Sequence, residues 1–288
     1  MTRRGVLGFL LVLSTGQLAA QNIAYEGSLG LSTGRYFFTD RTTSVALTNG
    51  LRVGAGRFTF RGSLPIWWQN TTLLTATGAG PVPSGGPYGR EAVHDSGEAR
   101  QQRKGKGSGG MSAMMGGPSV PAPDQSITGY ELRVADPTLQ AGYRLVSTSR
   151  VTLSAALTAK LPLADSTVGT GEWDVGGSAS MTVLLSPRVT AGLDASWWRL
   201  GDMEDFDFGD PLSGTASLGM ILGGRWAGLA SFTAATSALD GYDPPVIISA
   251  ALSRVTGAGI VGLNLSAGLT ETVPDFGVAV LWSFRVSR

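Results

Sequence analysis

Residues 173–198, WDVGGSASMTVLLSPRVTAGLDASWW, decide how this chain folds. Trp173, Val175, Ala179, Met181, Val183 and Leu185 alternate with Asp174, Gly176, Ser178, Ser180, Thr182 and Ser186; Gly177 and Leu184 are the weak members. A period of two puts apolar side chains on one face of a strand and small polar ones on the other. Val189, Ala191, Leu193, Ala195 and Trp197 repeat the pattern against Thr190, Gly192, Asp194, Ser196 and Trp198. Only Ser186, Pro187 and Arg188 separate the two runs, which predicts a tight antiparallel hairpin.

The glycines just upstream invite a different reading. Gly169, Gly171, Gly176 and Gly177 resemble a phosphate-cradling loop, but such a loop lies between a strand and a helix whose N-terminal amides hold the phosphate. Asp174 stands where the third glycine belongs, no Gly-Lys-Ser/Thr follows, and a strand comes next. These glycines therefore turn the chain and thin the wall of the following strand.

The same alternation recurs at 23–34, 43–54, 58–68, 128–147, 151–161, 212–223, 226–237, 246–254, 261–269 and 276–286, giving twelve strands with the hairpin. The segment 128–147 changes phase near Asp136 and Pro137, which predicts a bulge. Connections alternate in length. Those near 55–57, 147–150, 186–188, 223–225 and 254–258 are short; those near 35–42, 71–127, 163–172, 200–211 and 238–245 are longer. A water-soluble β-sandwich also alternates, but alternating turn lengths are the layout of an outer-membrane barrel. Aromatics near strand ends (Tyr25, Trp67, Trp68, Trp173, Trp197, Trp198, Trp226 and Trp282) fit interfacial girdles. The expected fold is all-β: a transmembrane antiparallel β-barrel of about twelve strands, with both termini periplasmic.

Composition fits export. Residues 1–20 have a basic start at Arg3 and Arg4, an apolar run from Val6 to Leu13 and small residues at Ala19 and Ala20, the pattern of a secretory signal peptide. Its removal turns a formal net charge of +1 into −1 and leaves 21–288 as the barrel, with 71–127 as a long extracellular Gly/Pro-rich loop. That balance implies no nucleic-acid partner. The absence of cysteine excludes disulfides, thiolate catalysis and thiolate-bound metals.

By strand phase, Glu26, Arg52, Arg61, Glu131, Arg133, Arg144, Lys160, Asp174, Asp194 and Arg285 are expected to point into the lumen. Charges there select solutes by charge and size, or pair across the lumen and plug it. The loop 200–211 gathers Asp202, Glu204, Asp205, Asp207 and Asp210 without EF-hand order, so an acidic rim is expected, with a divalent cation as the sharper alternative. The only histidine, His94, lies in the long loop without a nucleophile held beside it, which argues against an enzyme. Met111, Met114 and Met115 fit a flexible linker better than a soft-metal site, and no cofactor is expected. The basic run Arg100, Arg103, Lys104 and Lys106 is a solvated loop face with lipopolysaccharide phosphates as its alternative partner.

The block 160–202, KLPLADSTVGTGEWDVGGSASMTVLLSPRVTAGLDASWWRLGD, resembles an outer-membrane transporter-like family labelled as belonging to the meta-pathway of phenol degradation, as do SLPIWWQN (63–70) and VAVLWSFRVSR (278–288). The resemblance implies outer-membrane location, contact with lipid and the barrel-assembly machinery, and passage of small, often aromatic or hydrophobic solutes. Two departures are the long 71–127 insertion and a chain that ends on Arg288, with Phe284 four residues earlier. The expected function is a channel for such solutes through a charged lumen. The alternative is a structural or adhesive barrel, plugged by its own side chains, whose surface loops bind other molecules.

Overall fold

The computed structural model describes residues 22–38, 41–71, 73–85, 131–164, 168–202 and 207–286. The signal segment, most of the long loop with His94 and its methionines and basic run, and Glu204 and Asp205 lie outside the described residues, as does the side chain of Glu131. The strands are β1 (Asn22–Gly34), β2 (Thr42–Ala55), β3 (Phe58–Gln69), β4 (Thr75–Thr77), β5 (Gly80–Val82), β6 (Glu131–Val134), β7 (Thr138–Ser147), β8 (Val151–Lys160) and β9 (Asp174–Ser186). They continue as β10 (Val189–Arg199), β11 (Leu212–Gly223), β12 (Trp226–Ala235), β13 (Val246–Val255), β14 (Gly259–Gly268) and β15 (Phe276–Arg285).

Every wall strand pairs antiparallel with its neighbours, and β1 pairs with both β2 and β15, from Ala24↔Arg285 to Thr33↔Phe276. The sheet therefore closes on itself and leaves no edge to hydrogen-bond with water or lipid, the condition for strands to cross hydrocarbon. Twelve positions make up the wall. β6 and β7 share one of them, both pairing with β3, and the break at Ala135–Pro137 is the expected bulge. Chain entry at β1 and exit at β15 lie at the same end as the five short turns; Val286 N–H donates to the Ile23 carbonyl there. The short hairpin β4–β5 is a separate two-stranded sheet not anticipated from sequence, because three-residue strands carry too little alternation to register.

Hydrophobicity is inverted relative to a soluble domain. Large apolar side chains of the wall (Leu157 at 71% exposure, Leu193, Leu218, Phe232, Leu265 and Val280) lie on the outside, and the fully buried residues cluster at the long-loop end instead. In water such a continuous belt would be an aggregation surface. In a bilayer it is the solvated face. Tyr25, Trp68, Trp197, Trp226 and Trp282 share the outward register, and Trp226 stacks under the Arg254 guanidinium at 5.4 Å, a cation–π contact at the short-turn rim. Trp67 and Trp198 do not belong to the girdles. Their register partners Ala46 and Gly176 face the lumen, so both indoles point inward.

An arginine at lipid-facing Leu193, Leu193→Arg, is expected to cost about 2–4 kcal/mol near the bilayer midplane. Ser180→Arg, whose side chain enters the lumen beside Asp194, is expected to cost markedly less. Urea unfolding of the two variants in lipid vesicles, followed by tryptophan fluorescence, checks the difference.

Candidate functional site

The lumen is the concave surface of this molecule, and its lining follows from the strand register. Inward positions are dominated by serine, threonine, glycine and alanine. Where two hydroxyls meet across neighbouring strands they satisfy each other: Ser196 with Ser213 at 2.7 Å, Thr215 with Thr233 at 2.9 Å, Ser231 with Ser249 at 2.7 Å and Ser63 with Thr138 at 2.7 Å. Short side chains and paired hydroxyls make that wall polar without fixed charge.

At the long-loop end the lumen is capped from within. The β4–β5 hairpin reaches across it. Ala76 packs with Ala135, Val168 and Trp67 on one side. Val82 packs with Leu200, Phe208, Leu239 and Tyr242 on the other, where Phe37, Trp198 and Ala238 complete the cluster. Phe37 and Tyr242 lie ring to ring at 4.2 Å and so join the β1–β2 and β12–β13 connections. The hairpin tip fits because two glycines admit the Trp198 indole. A Cβ at Gly78 would come within 2.4 Å of that ring and one at Gly176 within 2.5 Å. The thin spot read at Gly176 is thus a seat for an aromatic ring.

A buried ion cluster fastens this cap to the wall. Lys160, Asp174 and Asp136 are exposed by 1%, 0% and 3%. The Lys160 ammonium donates to Asp136 Oδ2 at 3.0 Å and to Thr170 Oγ1 at 2.8 Å, and lies 3.4 Å from Asp174 Oδ2. Two carboxylates around one ammonium leave one negative charge in excess. Four backbone amides offset it: Leu163 and Ala164 donate to Asp136 Oδ1, Gly201 to Asp174 Oδ1 and Gly78 to Asp174 Oδ2. The cluster thereby ties β8, β9, the β6–β7 bulge, two loops and the hairpin tip together. Gly169 passes so close that a Cβ would lie 2.4 Å from Asp136 Oδ2, and Gly171 turns the chain at φ +75°.

The opposite end is open and basic. Arg285, Ala24, Arg52, Arg61 and Gln140 are successive register partners across β15, β1, β2, β3 and β7, which places three guanidinium groups along one row. Glu26 on β1 bonds to two of them, with Arg52 Nε at 2.7 Å and an Arg61 terminal nitrogen at 2.9 Å. Arg144 and Arg285 form no ion pair among the described residues and are exposed. A cavity of about 310 Å³ opens between Arg52, Arg144 and Arg285 and is also lined by Ala24, Thr59, Ile260 and Ser283.

The short turns are basic, whereas the long-loop end carries most of the described carboxylates together with Arg35, Arg41, Arg133, Lys160 and Arg199. Arg57, Arg150, Arg188 and Arg225 sit on four of the five short turns. Asp136, Glu172, Asp174, Asp202, Asp207, Asp210, Asp240, Asp243, Glu271 and Asp275 lie at the long-loop end. This polarity is legible in the turn motifs Gly-Arg, Ser-Arg, Pro-Arg and Gly-Arg, but residue-by-residue strand phasing overlooks it because turns have no phase.

The sequence-identified residues therefore separate into groups. Glu26, Arg52, Arg61, Arg144 and Arg285 come together at the short-turn end, whereas Asp194, on β10, faces them from the far wall. Arg133 has the inward register beside Trp67, near the cap. Lys160 and Asp174 have the inward register too, but they are enclosed in the ion cluster and touch no open space. In the acidic loop, Asp202 accepts the Phe208 amide at 2.9 Å and Asp210 accepts the Leu200 amide at 3.3 Å, so these carboxylates shape the loop backbone. No three acidic or histidine side chains converge on a cation site among the described residues. Phe208 is buried in the cap.

Removing the ammonium strands two buried carboxylates, so Lys160→Met is expected to destabilise the barrel by about 3–5 kcal/mol. Gly176→Val is expected to unseat Trp198 and to shift its fluorescence. Urea titration with tryptophan emission reads both variants.

No protein-family model matches the chain and no curated protein does, so the resemblance to the phenol meta-pathway family rests on its motifs alone. Solved structures do match. The NanC porin is 6% identical over 90% of this chain and 98% of that one, with a TM-score of 0.53. The translocator domain of the autotransporter NalP from Neisseria meningitidis is 10% identical over 92% and 88%, at 0.45. The P. putida toluene transporter TodX is 12% identical over 92% and 78%, at 0.44. Together with the closed twelve-position wall and its apolar belt, the likeness to the first of these identifies an outer-membrane-type β-barrel.

Proposed function

We propose that this barrel is an outer-membrane channel for small solutes, with the short turns on the periplasmic side and the capped end facing outward. The observation that carries the reading is the inner wall. It is built of short hydroxylated and glycine positions, and at the short-turn end Arg52, Arg144 and Arg285 line a cavity of about 310 Å³. A barrel serving only as a scaffold gains nothing from keeping such a space open, since close packing is the more stable use of an interior. The cap at the outer end is packed from aromatic and aliphatic side chains, with Phe37 and Trp198 half-buried at its margin. Solutes with an apolar body suit such an end, in keeping with the solutes implied by the motif resemblance.

The cap itself favours the second reading, a plugged barrel whose loops serve adhesion, because the hairpin and its ion cluster obstruct the mouth. The two readings differ in planar bilayers. The channel reading expects discrete conductance steps from the intact protein and larger steps after deletion of 75–82, which removes the hairpin but none of the wall. Silence from the intact protein, with conductance only from the deletion variant, establishes the plugged barrel instead.

A further inference from the structure

We propose that the arginine end of the lumen is a binding site for small organic carboxylates with an apolar body, which makes the channel anion-preferring. This deepens the channel reading and rests on it for transport, though not for binding.

Consider first the charge. Pairing accounts for Arg52 and Arg61, which share Glu26. It does not account for Arg144 and Arg285, whose guanidinium groups have no acidic partner among the described residues. Arg52, Arg144 and Arg285 line the cavity, and together with Arg61 and Glu26 next to it they carry a net charge of three positive. Like charges gathered along one rim repel one another and attract anions into the cavity between them. The four arginines on the short turns extend the positive field around the rim, and Asp194 on the opposite wall gives that field a direction across the lumen.

The shape and chemistry of the lining then narrow the anion. Guanidinium groups match a planar carboxylate with two parallel N–H donors, and the Arg144 and Arg285 forks line the same cavity. Thr59 and Ser283 supply neutral hydroxyls to the same cavity. Beside them, Ile260 and Leu281 have the inward register, paired with Ser283 and Gly262, and both are exposed. A fully hydrated inorganic anion has no use for those two side chains. A carboxylate on an aromatic or aliphatic body uses the arginines and the apolar wall together. The cavity volume is at the lower end of the roughly 300–1,000 Å³ common for small-molecule sites, which fits a single-ring or short-chain acid.

The test uses the detergent-extracted barrel with benzoate as probe and benzyl alcohol as its uncharged counterpart. Calorimetric titration is expected to show saturable benzoate binding, weakened about tenfold or more in Arg144→Gln/Arg285→Gln and much weaker for benzyl alcohol. Neither arginine has an acidic partner to lose among the described residues, and heat-modified gel migration checks that the variant stays folded. In bilayers under a KCl gradient, the reversal potential is expected to favour chloride and to move toward neutrality in the same variant. Conductance with no anion preference and no saturable benzoate binding overturns the site while leaving the channel intact. Benzoate binding that depends on Arg144 and Arg285 in a barrel that does not conduct upholds the site and overturns the channel. Benzoate binding unchanged in a folded double variant overturns the assignment.

Discussion

A strand that crosses hydrocarbon must find a partner for every backbone N–H and C=O, and this requirement orders everything else in the molecule. The pairing of β1 with β15 meets it by joining the chain's first and last wall strands and abolishing the sheet edges. Once the sheet is closed, strand alternation has only two destinations, the lipid and the lumen. Apolar side chains go outward because the surrounding solvent is apolar. Polar ones go inward because there is no other place where water or a polar neighbour can reach them.

Closure also creates the interior that the rest of the sequence must manage. At the long-loop end the chain fills it with a hairpin, two apolar clusters and a buried Lys160–Asp136–Asp174 cluster. At the short-turn end it leaves a cavity ringed by arginine. The two ends use charge in opposite ways. The buried cluster satisfies each charged atom with a counter-ion or an amide, and so it acts as a fastener. The arginine row is under-compensated, and so it can act on something else.

The wall was legible in the sequence because a membrane barrel repeats one signal, alternation broken by turns, about a dozen times. The bulge near Asp136 and Pro137 was legible for the same reason, as a change of phase. The cap was not. Trp67 and Trp198 each adjoin another tryptophan, so composition alone assigns the pairs Trp67–Trp68 and Trp197–Trp198 to the girdles, whereas register sends one of each pair outward and the other inward. Gly78 and Gly176 are 98 positions apart, and nothing local indicates that one indole needs both to be glycine. Lys160 and Asp174 read correctly as inward, but their burial depends on loops folding over them, and periodicity carries no information about loops. The candidate site was half-visible: each arginine's direction followed from strand phase, but their common level followed only from the pairing of β15, β1, β2 and β3.

A wall with a water-reached inner face and a lipid-covered outer one is directly measurable, because the sequence contains no cysteine. Single cysteines placed at Ser180, Thr182 and Ser217 on the inner face and at Ala179, Met181 and Leu218 on the outer face can be challenged in intact outer membranes with a membrane-impermeant, negatively charged thiosulfonate. Labelling of the first three and protection of the second three are expected. Equal labelling of both sets, or labelling of the outer set alone, would contradict such a wall.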